Sequence, residues 1–215
     1  MIEHHVFRKM RNTLVLVSMM LGGVNAVSAQ TGSTSVSNYI ENAPYAHFIK
    51  YHYAGTESAP GSRDVIMEYA PDSNGLFQVT VWENQKATCY VYQVKSDGIY
   101  EVACFEAYND VVDNRYTDLA KDEHMSLELP SELKVGHVYY SGYEKNVKNT
   151  VVAVNMAYTI NQKRYENTVK VQRENEDGTV YYYFAPKVGL IAIEDASGNP
   201  KLMLTETYGN LNFEQ

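Results

Sequence analysis

The sequence predicts an all-β or β-rich α+β protein: a curved antiparallel meander forming a half-barrel or barrel, with one short helix near residues 110–121. Two observations predict this class. Short runs rich in tyrosine, valine and isoleucine recur along the chain, and turn sequences separate them. About a dozen antiparallel strands are too many for a flat open sheet, so we expect strong curvature, closure, or two packed layers.

The densest apolar segment covers residues 181–193, and the other strands are expected to cover it. Pro186 cannot donate a ladder hydrogen bond, so it divides the segment into strands at about 179–185 and 188–194. Apolar residues occupy both faces of the second strand. That strand should therefore be central and covered on both sides.

A hairpin precedes this segment. Asp177-Gly178 is a strong turn signal between strands 165–173 and 179–185, with either a two-residue or a four-residue loop. In both registers one face of the hairpin is core, and the other carries two tyrosines among polar residues. The core face holds Val169, Val171, Val180, Tyr182 and Phe184, and the other holds Lys170, Gln172, Tyr181 and Tyr183.

The remaining elements follow from local composition. Val112, Tyr116 and Leu119 have helical spacing within an acidic stretch, which predicts the short helix. Strands are expected at about 45–53, 65–69, 76–83, 87–94, 99–107, 125–129, 136–141, 150–160 and 201–208. These elements would form a single domain over residues 44–215, with two meanders (45–108 and 125–209) joined by residues 109–124.

The N-terminal region has the features of a secretory signal peptide. Basic residues precede an apolar stretch from Leu14 to Leu21, and small residues lead to a cleavage site near Ala29. We therefore expect residues 1–29 to be removed, residues 30–43 to form a flexible leader, and the protein to be secreted or in the cell envelope, extracellular or periplasmic. No later apolar stretch is long enough to span a bilayer.

The net charge of the chain disfavours some classes of binding partner. The formal net charge is −8, and removal of residues 1–29 makes it more negative. A strongly negative protein is a poor partner for nucleic acid or for anionic membranes. The expected partner is an amphipathic, sugar or peptide ligand, or another envelope protein.

Two segments carry a family resemblance. Pro130-Ser-Glu-Leu-Lys-Val-Gly136, followed by Tyr139, and Tyr183-Phe-Ala-Pro-Lys-Val-Gly-Leu190 resemble conserved segments of a group of bacterial exported and lipid-anchored envelope proteins. Lys187 stands where that group usually has glycine, Tyr139 where it usually has tryptophan, and the lipid-bearing cysteine is missing. The resemblance covers the C-terminal 90 residues or so, and implies a β-rich envelope protein without an assigned activity.

The two cysteines are a candidate disulfide. If Val94 pairs with Ile99 across the Lys95–Gly98 loop, Cys89 and Cys104 lie opposite each other on neighbouring strands. Because the chain is expected to be exported to an oxidising environment, a disulfide bond between them is favoured. Two small buried hydrophobic residues are the alternative.

Nineteen tyrosines are the main compositional excess. Tyrosine combines an apolar ring with a polar tip, so it suits ligand surfaces as well as the wet faces of sheets. Tyr90, Tyr92, Tyr181 and Tyr183 are the candidates for an exposed face, and Trp82 is expected to be a core anchor. Ala153 and Ala157 line a strand face of small side chains, which leaves room for a bound ligand.

The sequence contains no recognisable catalytic signature. The mature histidines are scattered without metal-ligand spacing, and phosphate-binding loops and a nucleophile elbow are absent. We therefore expect no catalytic residues, no metal and no cofactor. A pair of glycosidase carboxylates cannot be recognised from sequence, because its separation is spatial.

Three functional hypotheses follow. The first is an exported binding or carrier module of the cell envelope, with a tyrosine-lined sheet face. The second is a structural or protein-interaction envelope domain without a small-molecule site. The third, supported only by export and by the abundant carboxylates, is a secreted hydrolase.

Overall fold

The computed structural model describes residues 33–34, 40–56, 59–118 and 125–211. Most of these residues form strands, and the only helical turn among them is a 3-10 turn at Ile40–Asn42. The strands are β1 (Ser33–Thr34), β2 (Phe48–Thr56), β3 (Ala59–Tyr69), β4 (Leu76–Glu83), β5 (Lys86–Lys95), β6 (Gly98–Phe105), β7 (Ser126–Pro130), β8 (Leu133–Lys134), β9 (Val138–Ser141), β10 (Val147–Ile160), β11 (Lys163–Asn175), β12 (Gly178–Ala185), β13 (Gly189–Asp195) and β14 (Pro200–Asn210).

Twelve of these strands form one antiparallel sheet that nearly closes into a barrel. The chain winds around it from β2 to β7 and then from β9 to β14, and β14 pairs with β2. Strands β1 and β8 form a separate two-stranded sheet. The predicted fold class is confirmed.

The barrel has a seam between β7 and β9, where no ladder pairing joins the two strands in the described chain. Side chains bridge it instead. The Tyr139 hydroxyl donates to the backbone oxygen of Glu128 at 3.0 Å, and the Gly142 N–H donates to Ser126 Oγ at 2.7 Å. The seam is therefore held by a few specific contacts rather than by a continuous ladder.

Aromatic and aliphatic side chains fill the barrel interior. Tyr45, from the segment before β2, inserts there, with its ring centroid 5.9 Å from Tyr51 and 6.3 Å from Tyr53. That segment runs beneath the corner between β12 and β13, where Gly189 has φ +89° and an added Cβ would lie 2.4 Å from the Ala43 oxygen. Only glycine fits both the conformation and the contact.

The hairpin of β10 and β11 bends over the core. Its register is interrupted between Val151 and Tyr158, and Asn155 and Asn167 both have positive φ. Asparagine tolerates this left-handed conformation better than most residues. Beyond these irregularities Ile160 and Tyr165 are buried in the same core cluster, so the far end of the hairpin covers that core.

The predicted helix near 110–121 is wrong for residues 110–118, which form turns and irregular chain; residues 119–121 lie outside the described residues. The segment crosses the outer face of the sheet. Buried Gln78 donates to the Val112 oxygen and accepts from the Asn114 N–H, and Asp113 accepts from the Arg115 N–H. Such side-chain bonds to backbone groups compete with helix formation.

Most predicted strands are confirmed to within a few residues, including β4 at residues 76–83 and both strands flanking Pro186. The central position of β13 is also confirmed, because its first five residues are all buried. Within the predicted leader, residues 40–42 form the 3-10 turn, and Asn42 and Ala43 are buried. One expectation is wrong. Trp82 is not a core anchor, because it faces outward and is 46% exposed.

Candidate functional site

Tyr90 and Tyr92 do not lie on an exposed face, which corrects the sequence expectation. Tyr92 is only 5% exposed and stacks on Phe77 in the core, with ring centroids 5.3 Å apart. Tyr90 is partly buried against the same core cluster. Both rings face the barrel interior, where they provide packing area.

The register predicted for Cys89 and Cys104 is also wrong, and the cause is one irregularity in the β5–β6 pairing. Val94 does pair with Ile99, but a shift after Tyr92 pairs Cys89 with Phe105 and Tyr90 with Cys104. Neighbouring residues of a strand point to opposite faces. Cys89 and Cys104 are therefore on opposite sides of the sheet, and both are free thiols.

Tyr181 and Tyr183 lie on the outer face of β12, as predicted, but Tyr183 is only 2% exposed. The Tyr158 ring stacks on it at 4.1 Å, and Glu194 accepts hydrogen bonds from both hydroxyls. The Lys170 ammonium lies 4.1 Å from the Tyr181 ring centroid and 5.0 Å from that of Tyr183. These contacts leave Tyr183 no room to receive a ligand.

Neither of the two alanines is fully exposed. Ala153 pairs with Lys170 on the same outer face and is buried, and Ala157 is half-buried beyond the bulge of β10. The structure does not bring the six candidates together, because Tyr90 and Tyr92 face inward while Tyr181 and Tyr183 face outward.

A partly buried charge network crosses the interior behind the seam. The Arg173 guanidinium forms an ion pair with Glu128 at 2.7 Å and lies 4.2 Å from the Tyr182 ring centroid. The Tyr143 hydroxyl donates to Glu101 at 2.8 Å. Burial and the negative charge of Glu128 raise the pKa of Glu101 to about 8, so this carboxyl is mostly protonated at neutral pH.

A half-open groove of about 570 Å³ lies on the opposite face of the same strands, outside the seam. Its size falls within the usual range of small-molecule sites. The walls come from the end of β5, from β6, β7 and β9, and from the adjoining turns. They are Lys95, Asp97, Tyr100, Met125, Leu127, Tyr140 and Lys145.

The groove combines an apolar floor with two ammonium groups. Tyr100 and Leu127 are paired across β6 and β7, and Tyr140 is exposed on β9, the other edge of the seam. The Lys95 Nζ lies 3.3 Å from the Met125 Sδ and 5.3 Å from the Tyr100 ring centroid. Within the described chain, neither Lys95 nor Lys145 forms an ion pair.

The one carboxylate that lines the groove, that of Asp97, is hydrogen-bonded to a tyrosine of the same groove. Asp97 accepts a hydrogen bond from the Tyr100 hydroxyl at 2.7 Å. Burial and this bond raise the pKa of Tyr100 to about 12, so its hydroxyl stays protonated. The two lysines thus give the groove a net positive character in an otherwise acidic protein.

Two carboxylates of the neighbouring strands do not reach the groove. Glu101 and Glu128 face the interior, whereas Tyr100 and Leu127 point into the groove, so the sheet separates the carboxylates from it. The described residues contain no group of three side chains that could hold a metal ion and no helix that could span a membrane.

Sequence reasoning missed the groove residues. The Lys95–Gly98 turn was recognised, and strand alternation could have put Tyr100 and Leu127 on one outer face. The sequence contains no signal that β9 lies next to β7, because their proximity depends on the curvature of the whole sheet.

The chain was compared with protein-family models, with curated proteins and with solved structures, and none of them matches it. The protein is therefore classified by its fold and its groove alone. It is an antiparallel, barrel-like β-protein with a half-open groove outside its seam.

Proposed function

We propose that this protein is an exported binding or carrier module of the bacterial cell envelope, and that the groove outside the seam holds an amphipathic ligand with an anionic group. The observation that carries the proposal is an apolar, tyrosine-bearing floor next to two ammonium groups that form no ion pair with any residue the structure describes. The export part rests on the predicted signal peptide.

The apolar part of the ligand would contact Met125, Leu127 and the rings of Tyr100 and Tyr140. Burial of apolar surface contributes about 25 cal/mol per Å² before the cost of association is subtracted. An alkyl chain or a ring system would suit these walls better than a polar guest. The tyrosine hydroxyls keep polar atoms at the groove margin.

The anionic part would lie between Lys95 and Lys145. An ammonium on a mobile stem binds a carboxylate, sulfonate or phosphate without strict geometry. Because the groove already contains Asp97, a cationic ligand would have a single carboxylate against two ammonium groups. An anion is therefore favoured over a cation of the same shape.

The test is a titration of the purified protein with 1-anilinonaphthalene-8-sulfonate, an amphipathic anion whose emission rises on transfer to an apolar site. We expect saturable binding to one site. Lys95→Met with Lys145→Met should weaken it by roughly 5- to 30-fold, since two exposed charge interactions of about 0.5–1 kcal/mol each are lost.

The matched control is Lys86→Met with Lys163→Met, which removes the same charge from exposed positions outside the groove. Its affinity should equal that of the parent protein. Dodecanoate should also displace the probe more strongly than neutral dodecyl maltoside. Equal weakening in both double variants, or equal displacement by both amphiphiles, would refute the proposal.

A further inference from the structure

A second surface lies on the outer face of β14, β2, β3 and β4, well away from the groove. Trp82, the only tryptophan in the chain, is 46% exposed there, and Tyr208 is 52% exposed. Tyrosine and tryptophan are enriched at interfaces, because each combines an apolar ring with a polar group. We refer to the surface between these two rings as the platform.

The strand register places polar side chains between the two rings. One row across the four strands consists of Trp82, Asp64, His52 and Glu206. Tyr208 and Lys50 are paired in the next row on the same face. Since neighbouring strands are about 4.8 Å apart, three strand spacings make the platform about 14 Å wide, which is wider than one sugar ring.

The polar groups of the platform are held in fixed positions. Asp64 accepts from His52 Nδ1 at 2.6 Å and forms an ion pair with the Lys50 Nζ at 3.1 Å. With Nδ1 engaged in this way, His52 Nε2 has no hydrogen-bond partner in the described part of the chain. It remains available to a ligand on the solvent side.

The charges of the platform nearly cancel. Lys50 is positive, and Asp64 and Glu206 are negative. An excess of one sign would favour an oppositely charged guest. A balanced set of donors and acceptors between two aromatic rings instead fits a guest with many hydroxyls, apolar C–H faces and no net charge.

We propose that the platform binds a neutral oligosaccharide, with sugar rings stacked on Trp82 and Tyr208 and hydroxyls bonded to His52, Asp64 and Lys50. The proposal is independent of the groove, which lies outside β6, β7 and β9. It assigns a function to the lone tryptophan, which packing does not explain.

The lone tryptophan also provides the assay, because its emission reports on this surface alone. The purified protein would be titrated separately with cellotetraose, chitotetraose and maltotetraose. We expect a saturable change in tryptophan emission with at least one of them. Tyr208→Ala, which retains Trp82 as the reporter, should weaken binding of that sugar by about tenfold, as expected for loss of one aromatic contact.

Trp82→Ala would be measured by calorimetry with the same sugar and should also weaken binding by about tenfold. Tyr116→Ala is the control, because Tyr116 is equally exposed but lies outside the platform. Circular dichroism would establish that each variant is folded. No saturable change with any of the three sugars, or affinities unaffected by both platform variants, would overturn the proposal, as would stronger binding of a charged analogue than of the neutral sugar.

Discussion

At the scale of single residues, Glu101 has the clearest consequence for stability. Its pKa in the folded protein, about 8, is well above the value of about 4.3 for an unperturbed glutamate. The folded state therefore binds a proton that the unfolded state releases between these values. The stabilisation is fully present below about pH 4.3 and is lost as the pH rises towards 8.

Glu101→Gln should remove this dependence. Glutamine resembles the protonated carboxyl in shape and cannot ionise. The free energy of unfolding of the parent should fall by a few kcal/mol between pH 5 and 8, and that of the variant should stay nearly flat there. Denaturant unfolding across this range measures both. Parallel profiles for the two proteins would contradict the assignment of the raised pKa.

At the scale of elements, the β5–β6 pairing shows how one extra residue in a strand changes which side chains lie on the same face of the sheet. The turn was predicted correctly, and the pairing of Val94 with Ile99 is confirmed. The register shift beyond Tyr92 then puts Cys89 and Cys104 on opposite faces. Alternation of side chains gives no signal for such a shift, because both strands are apolar on both faces.

The cysteine reactivity follows from this arrangement. Burial raises the pKa of Cys89 to about 12 and raises that of Cys104 as well, so neither thiol forms much reactive thiolate at neutral pH. Ellman titration without reductant should find slow reaction in the native protein and two thiols after denaturation. Cys104→Ala should leave one. A denatured protein with no free thiol would show that the cysteines are bonded.

At the scale of the whole molecule, stability depends on β14, which joins the two halves of the sheet by pairing with β2. Leu204 is buried on the interior face of this strand, and Glu206 is exposed on the outer face. Leu204→Lys would place an unpaired charge in the core, at a cost of several kcal/mol. We expect it to abolish cooperative thermal unfolding, whereas Glu206→Lys, its matched control, should change the melting temperature little. Similar melting curves for both would contradict the interior position of Leu204 and the role of β14 in joining the two halves of the sheet.

The fold class and most strands were predictable because alternation and turn residues are local signals. The candidate site was not, since its walls meet only after distant strands are brought together. The same limit explains Trp82 and Tyr92: burial depends on which sheet face is covered, and the sequence of either strand alone does not specify it. Residues 110–118 were predicted to be helical from the spacing of their apolar residues. They are not helical, because their backbone bonds to Gln78 instead.

The pairing of β2 with β14 also has a consequence for the order of events in folding. It joins the first strand of the large sheet to the last, so the sheet cannot be completed until the C-terminal strand is present. Such long-range pairing makes folding slow compared with that of helical proteins. For the exported chain that we propose, the segments that cross the membrane first must wait for the last segment before the barrel forms. Until then the unpaired edge of β2 is exposed, and a chaperone that binds extended segments on the far side of the membrane would shield it from aggregation.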